Sequence, residues 1–205
     1  MAGEFGCGRG AWLRAALDLG IHNILGMDGD YVSPESLLIP VDRFVAVNLT
    51  RPFRVPARYD LAMCLEVAEH LPARAAASLV DGLTSAAPVV LFSAAIPGQP
   101  GTHHINSQFP EYWQHLFCER GFVALDVVRP LIRSDSFVEP WYAQNILLYV
   151  SREFYDAAPR LHPYRPLTSP AELLPWVYAE LWRGRMNWRG PLSVFKIVVR
   201  KMFGR

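Results

Sequence analysis

Apolar residues come in two rhythms along this chain. Short runs of β-branched, aromatic and aliphatic residues alternate with longer runs rich in alanine and leucine that repeat at helical spacing. Ala11 to Leu19 reads as a helix stopped by Gly20, a residue suited to a left-handed C-cap. Ile21 to Met27 reads as a strand, and Ser33-Pro34-Glu35 as the start of a short helix that Pro40 ends. Strands are expected over Arg43 to Val47, Tyr59 to Leu65, Pro88 to Phe92, Phe122 to Val128 and Tyr142 to Val150. Helices are expected over Ala73 to Ala86 and from Pro110 to Gly121. The connection from Arg129 to Trp141 shows no helix signal, so the last two strands should pair antiparallel. The alternation predicts an α/β fold with a mainly parallel seven-stranded sheet and an antiparallel closing strand pair. Its first strand is truncated, because only Met1-Ala2-Gly3 precede Glu4 where a central strand would be apolar on both faces. A stub and a natural start further upstream both account for this.

The candidate chemistry begins where that first strand ends. In Glu4-Phe5-Gly6-Cys7-Gly8-Arg9-Gly10 three glycines alternate with other residues just before a helix. Glycine accepts positive φ and lets a ligand approach the backbone, and the helix start leaves free N–H groups over the turn. Gly6-x-Gly8-x-x-Ala11 satisfies a dinucleotide fingerprint, while the bland alternative is a glycine-rich terminal loop. Asp28 lies 18 positions after Gly10, about the spacing at which an acid on the second strand meets a ribose hydroxyl pair. Glu4, Asp28, Asn48 and Glu66 all fall at or near the carboxyl ends of expected strands, where ligands bind in open α/β sheets.

Composition adds limits. The chain has 205 residues, 51% hydrophobic and 19% charged, with a formal net charge of +1, which argues against a general nucleic-acid binder. Residues 1–150 carry 10 basic and 15 acidic side chains, whereas 151–205 carry 10 and 4. This divides the chain into a domain over 1–150 and a basic, helical C-terminal extension over 151–205. Within the extension, Ser169-Pro170 opens a helix that Pro175 interrupts, followed by Trp176 to Trp182. Further on, Phe195, Val198, Val199 and Met202 share a face, with Lys196, Arg200, Lys201 and Arg205 away from it. Packing on the domain or on a second copy of the chain is the favoured reading. A weak contact with an anionic membrane surface is the alternative, which Ile197 on the polar side opposes. Cys7, Cys64 and Cys118 are odd in number and widely spaced, so neither a disulfide framework nor a metal site is expected. With no span-length apolar run and no signal peptide, the expected location is cytoplasmic.

Over residues 4–150 the chain resembles the class I S-adenosylmethionine-dependent methyltransferases of small-molecule type. The resemblance rests on Glu4-x-Gly6-x-Gly8-x-Gly10, on Asp28, and on Tyr59-Asp60-Leu61-Ala62-Met63-Cys64-Leu65-Glu66-Val67-Ala68-Glu69-His70-Leu71. It implies a Rossmann-like sheet and S-adenosyl-L-methionine as cofactor. By the same resemblance, Glu4, Gly6, Gly8 and Gly10 would hold the amino-acid end of the cofactor, and Asp28 its ribose. Asn48 and Leu49 would flank the adenine, and Leu65 and Glu66 would line the methionine portion. Asn48 stands where the family commonly has an acid.

Methyl transfer to a hydroxyl is helped by a general base, and histidine suits neutral pH. His70 and His104 are the catalytic candidates. The loop Ser93 to Asn106 is long and rich in Gly and Pro, so it is more than a plain connector. Its His103, His104 and Asn106 are candidates for contact with a small-molecule or sugar-like acceptor. Tyr112 and Trp113 are core or pocket wall, and Gln144 and Asn145 can face the pocket from the last strand. A nicotinamide-dependent oxidoreductase and a non-catalytic Rossmann-like binding domain are the rival readings.

Overall fold

The computed structural model describes residues 1–135 and 137–169. The expected helices at 176–182 and 195–205 lie outside them. Seven strands form one sheet: β1 (Ala2–Phe5), β2 (Ile24–Asp28), β3 (Phe44–Ala46), β4 (Leu61–Leu65), β5 (Val89–Ser93), β6 (Phe122–Leu125) and β7 (Leu147–Ser151). Their order across the sheet is β3-β2-β1-β4-β5-β7-β6. The first five run parallel, and β7 is antiparallel to both β5 and β6. The expected mainly parallel, Rossmann-like sheet with an antiparallel closing pair is therefore present. Although β1 has only four residues, it is central: Ala2 to Glu4 pair with β2 on one side and β4 on the other.

Strand side chains alternate between faces, so each central strand feeds two separate cores. Leu61, Met63 and Leu65 of β4 enter one core, while Ala62 and Cys64 enter the other. The same split divides Leu91 from Phe92 in β5 and Leu148 from Tyr149 in β7. The first core is closed by α1 (Ala11–Asp18) through Trp12, Leu13, Ala15 and Ala16. It also takes side chains from the neighbourhood of α4 (Arg129–Ile132) and α5 (Pro140–Asn145). The second is closed by α2 (Ala76–Ala86) and α3 (Pro110–Cys118). There Phe117 stacks on Tyr149 at 3.9 Å, and Phe92 packs edgewise against Phe117. Trp113 belongs to this core and does not line the cleft described below, which decides between its two expected roles.

Two expectations fail near the end of the domain. The connection over 129–141 does contain helix: α4 and the start of α5, each with proline in its first turn. The expected strand over 142–150 begins only at Leu147, because Pro140 starts a helical turn that carries through Asn145. Gln144 and Asn145 thus sit on a helix, not on the last strand. Residues 151–169 begin with α6 (Arg152–Asp156), whose first turn is capped by Ser151 Oγ accepting from the Phe154 N–H. They return to the sheet, where the Leu167 N–H donates to the Ala124 carbonyl at 2.9 Å. No helix among the described residues is long and apolar enough to cross a membrane.

Arg129 is 2% exposed, and its guanidinium binds Asp126 through two hydrogen bonds of 3.0 and 2.9 Å. A buried charge that loses its partner is costly. Asp126→Ala should lower the unfolding free energy in urea by about 3–5 kcal/mol. Adding Arg129→Met should recover much of that loss; a double variant as weak as the single one would show that the ion pair does not carry the effect.

Candidate active site

The carboxyl ends of β1 to β4 open into a cleft of about 630 Å³. Its floor is the glycine turn. The N–H groups of Gly6 and Cys7 both donate to the Met27 carbonyl, tying the turn to the end of β2. Gly6, Gly8 and Gly10 all have positive φ, the reason the sequence alternates glycine here. At Gly6 glycine is also a packing requirement: an added Cβ would stand 2.4 Å from a Val67 methyl. At Gly8 there is nothing within 4 Å, so the backbone faces open cleft.

Asp28 ends β2 beside this turn. Its carboxylate accepts from the Gly8 N–H at 2.6 Å, from the Gly29 N–H at 2.7 Å and from the Tyr31 hydroxyl. A carboxylate has about four acceptor positions, so three are already used within the protein. Tyr31 is 80% exposed, so its side chain is free to leave. Although most of the side chain is exposed, local desolvation of its hydroxyl and the Asp28 hydrogen bond push it up to about 12, which keeps it a donor. Asn48 and Leu49 form another wall; Asn48 Oδ1 accepts from both the N–H and the hydroxyl of Thr50.

The far wall is Glu66, in the left-handed region at φ 53, followed by Val67, His70 and Leu71. The Glu66 carboxylate accepts from Gln99 Nε2 at 2.8 Å and Asn145 Nδ2 at 3.3 Å. Burial still raises its pKa above the ordinary range. Beside it, Glu69 is fully buried. Its oxygens make no hydrogen bond of ordinary geometry, and burial plus the Glu66 charge raise it as well. The 93–106 loop folds back on this turn: the N–H groups of Ile105 and Asn106 both donate to the Glu69 carbonyl. That brings the His104 ring 5.1 Å from the His70 ring. Burial and the neighbouring His70 hold His104 below the usual histidine range, so it is neutral at neutral pH.

Of the residues singled out in the sequence, Gly6, Gly8, Asp28, Asn48, Leu49, Glu66 and His70 line the cleft. Glu4, Gly10, Leu65, His103, His104 and Asn106 do not. Glu4 is buried beneath the turn, and its Oε2 has no hydrogen-bond partner among the described residues. Gly10 packs under Ile39. His103 is exposed, and its carbonyl meets His70 Nδ1. Asn106 is buried, with Nδ2 3.4 Å from the Ala68 carbonyl. Sequence reasoning missed Tyr31, Gln99 and the separate place of Glu69. The Gly-Gln-Pro-Gly turn offered the only signal for Gln99, and Tyr31 offered none.

No family model matches the chain, and no curated protein matches it. Solved structures do. The magnesium protoporphyrin IX methyltransferase ChlM of Synechocystis PCC 6803, with bound SAH, superposes with a TM-score of 0.52 at 19% identity over 74% of each chain. The fold is that of the class I S-adenosylmethionine-dependent methyltransferases. The methyltransferase domain of bacterial-CtHen1-CN has a TM-score of 0.53 at 17% identity, over 73% of this chain and 89% of that one. Human N-acetylserotonin methyltransferase, in complex with SAM, has 0.50 at 13%, over 73% and 47%. At such identities the likeness to these methyltransferases is one of fold.

Burial and the Asp28 charge raise the Glu4 pKa well above the ordinary range. Such a group favours folding while the unfolded chain is still protonated, and that gain is lost as pH rises from about 4.3 toward the folded value. Glu4→Gln should therefore raise the melting temperature more at pH 7 than at pH 4. Equal shifts at both would mean that the carboxylate is compensated within the fold.

Proposed function

We propose that this chain transfers the methyl group of S-adenosylmethionine to a hydroxyl oxygen of a small-molecule or sugar-like acceptor. The observation that carries the reading is the Asp28 carboxylate beside the positive-φ Gly6–Gly8 turn, in one cleft with the half-buried Glu66. In this reading a ribose diol displaces the Tyr31 hydroxyl from Asp28. Asn48 and Leu49 flank the adenine. The Gly6–Gly10 turn takes the amino-acid end, whose ammonium would draw the Glu4 and Glu66 carboxyls toward their ionised forms. The sulfonium methyl then points past Glu66 toward His70 and the 93–106 loop.

Methyl transfer from a sulfonium demands little beyond alignment and partial exclusion of water. The acceptor oxygen attacks the methyl carbon in line with the sulfur. A new O–C bond forms, the C–S bond breaks, and its electron pair stays on sulfur. His70 and His104, at the acceptor end, assist removal of the hydroxyl proton. His103 and Asn106 shape the loop that receives the acceptor. Residues 1–150 supply this chemistry, and 151–205 form the extension. Three free cysteines suit a reducing compartment, so we place the reaction in the cytoplasm.

Calorimetric titration with S-adenosylmethionine, S-adenosylhomocysteine and NADH tests the cofactor. The first two should bind near micromolar, about −8 kcal/mol, and NADH not at all. Asp28→Ala should weaken S-adenosylmethionine by about 10–100-fold, while Tyr31→Phe should tighten it by roughly 3–10-fold because its hydroxyl no longer competes. Unchanged affinity in the Asp28 variant would remove the ribose assignment. Separately, His104→Ala should lower turnover by about 100-fold or more with cofactor affinity intact. Wild-type turnover in that variant would take His104 out of the chemistry.

A further inference from the structure

The buried Glu69 carboxyl has no role in the cofactor cleft, yet it is held in place. It follows Glu66 on a short 3₁₀ turn (Ala68–His70), and the loop carrying His104 is bolted to its backbone by the Ile105 and Asn106 N–H groups at 2.9 and 3.0 Å. Glu69, His70 and His104 each bring one donor atom to a common point, with all three atoms within 4.8 Å of one another. Donors around one ion, at bond lengths of about 2.0–2.2 Å, stand roughly 3–4 Å apart, so small side-chain rotations close the set.

The hydrogen bonds around the imidazoles favour this use. His70 Nδ1 lies 3.3 Å from the His103 carbonyl, and His104 Nδ1 lies 3.3 Å from the Gln99 carbonyl. A carbonyl only accepts, so both rings carry the proton on Nδ1 and keep the Nε2 lone pair for a ligand. Metal-binding histidines are commonly oriented by such a carbonyl. The His104 ring packs against Gly101, where a Cβ would fall 2.1 Å from Nε2, so a side chain there would push the ring out of this position. His103, whose carbonyl orients His70, holds the left-handed φ of 57.

We propose that Glu69, His70 and His104 form a divalent transition-metal site at the acceptor end of the cleft. Two imidazoles and one carboxylate suit Mn²⁺, Co²⁺ or Zn²⁺, and three protein ligands leave positions open to a substrate. His70 also lines the cleft, which puts the three donors next to the place assigned to the acceptor. The catalytic use of the site rests on the methyltransferase reading: with both imidazoles bound to it, the ion would replace them in promoting loss of the acceptor hydroxyl's proton, to solvent, before attack on the methyl carbon. Binding of the ion does not rest on that reading.

The test is calorimetric titration of the chelator-treated 205-residue chain with Mn²⁺ and Zn²⁺, and separately with S-adenosylmethionine. One ion should bind per chain. Glu69→Gln, His70→Ala and His104→Ala should each weaken it more than about 10-fold, with melting confirming that the variants fold. Asp28→Ala and His115→Ala should leave it unchanged; the latter removes the exposed pair that His115 forms with Glu119. Equal ion affinity in the three ligand variants, or its loss in His115→Ala alone, would overturn the site. Ion binding without S-adenosylmethionine binding would keep the site and reject the methyltransferase reading. Turnover that survives complete chelation would reject the catalytic use.

Discussion

Parallel pairing of β1 with both β2 and β4 is the constraint on which the site depends. Parallel register lines up three carboxyl ends, and Glu4 faces both Gly26 and Met63 across the pairing. Whatever follows each strand must therefore meet at one edge. The glycine turn follows β1, Asp28 closes β2, and Glu66 leaves β4. The Met27 carbonyl that receives the Gly6 and Cys7 N–H groups shows how directly the turn is built on its neighbouring strand.

That edge gathers carboxyl groups away from water. Glu4, Glu66 and Glu69 all have raised pKa values, each chiefly from burial. Buried carboxyls without full partners cost stability, so their presence together at one place is a feature that folding alone does not favour. The cationic ligands proposed for this edge, a sulfonium and ammonium beside Glu4 and Glu66 and a metal ion beside Glu69, would answer it. The left-handed Glu66 and His103 belong to the same region, where backbone strain is held by a surrounding network of Gln99, Asn145 and Ser93.

Much of this was legible from residue patterns because the devices are local. Gly6, Gly8 and Gly10 announce positive φ, and the apolar runs of β4 and β5 announce strands buried on both faces. The errors lie where local signals were weak. Over 129–145, prolines at 130 and 140 open short helical turns that lack an amphipathic period, and the last strand starts at Leu147, later than its apolar run suggests. Tyr31 and Gln99 were missed because their roles come from one hydrogen bond each, to Asp28 and to Glu66, across 3 and 33 residues of chain.

The sequence by itself determined the α/β alternation, the left-handed turn, and the set of acids that end strands one, two and four, since each depends on φ preference and side-chain period within a few residues. Only the tertiary structure decided which of these share a cleft. It buried Glu4 and Gly10 beneath the turn, left Asp28 shared with Tyr31, and moved Asn145 onto a helix that reaches Glu66. It also carried His104 through more than thirty residues of chain to stand beside His70 and Glu69. The physical reason is that convergence across the sheet is set by strand order and loop return, which no short stretch of residues encodes.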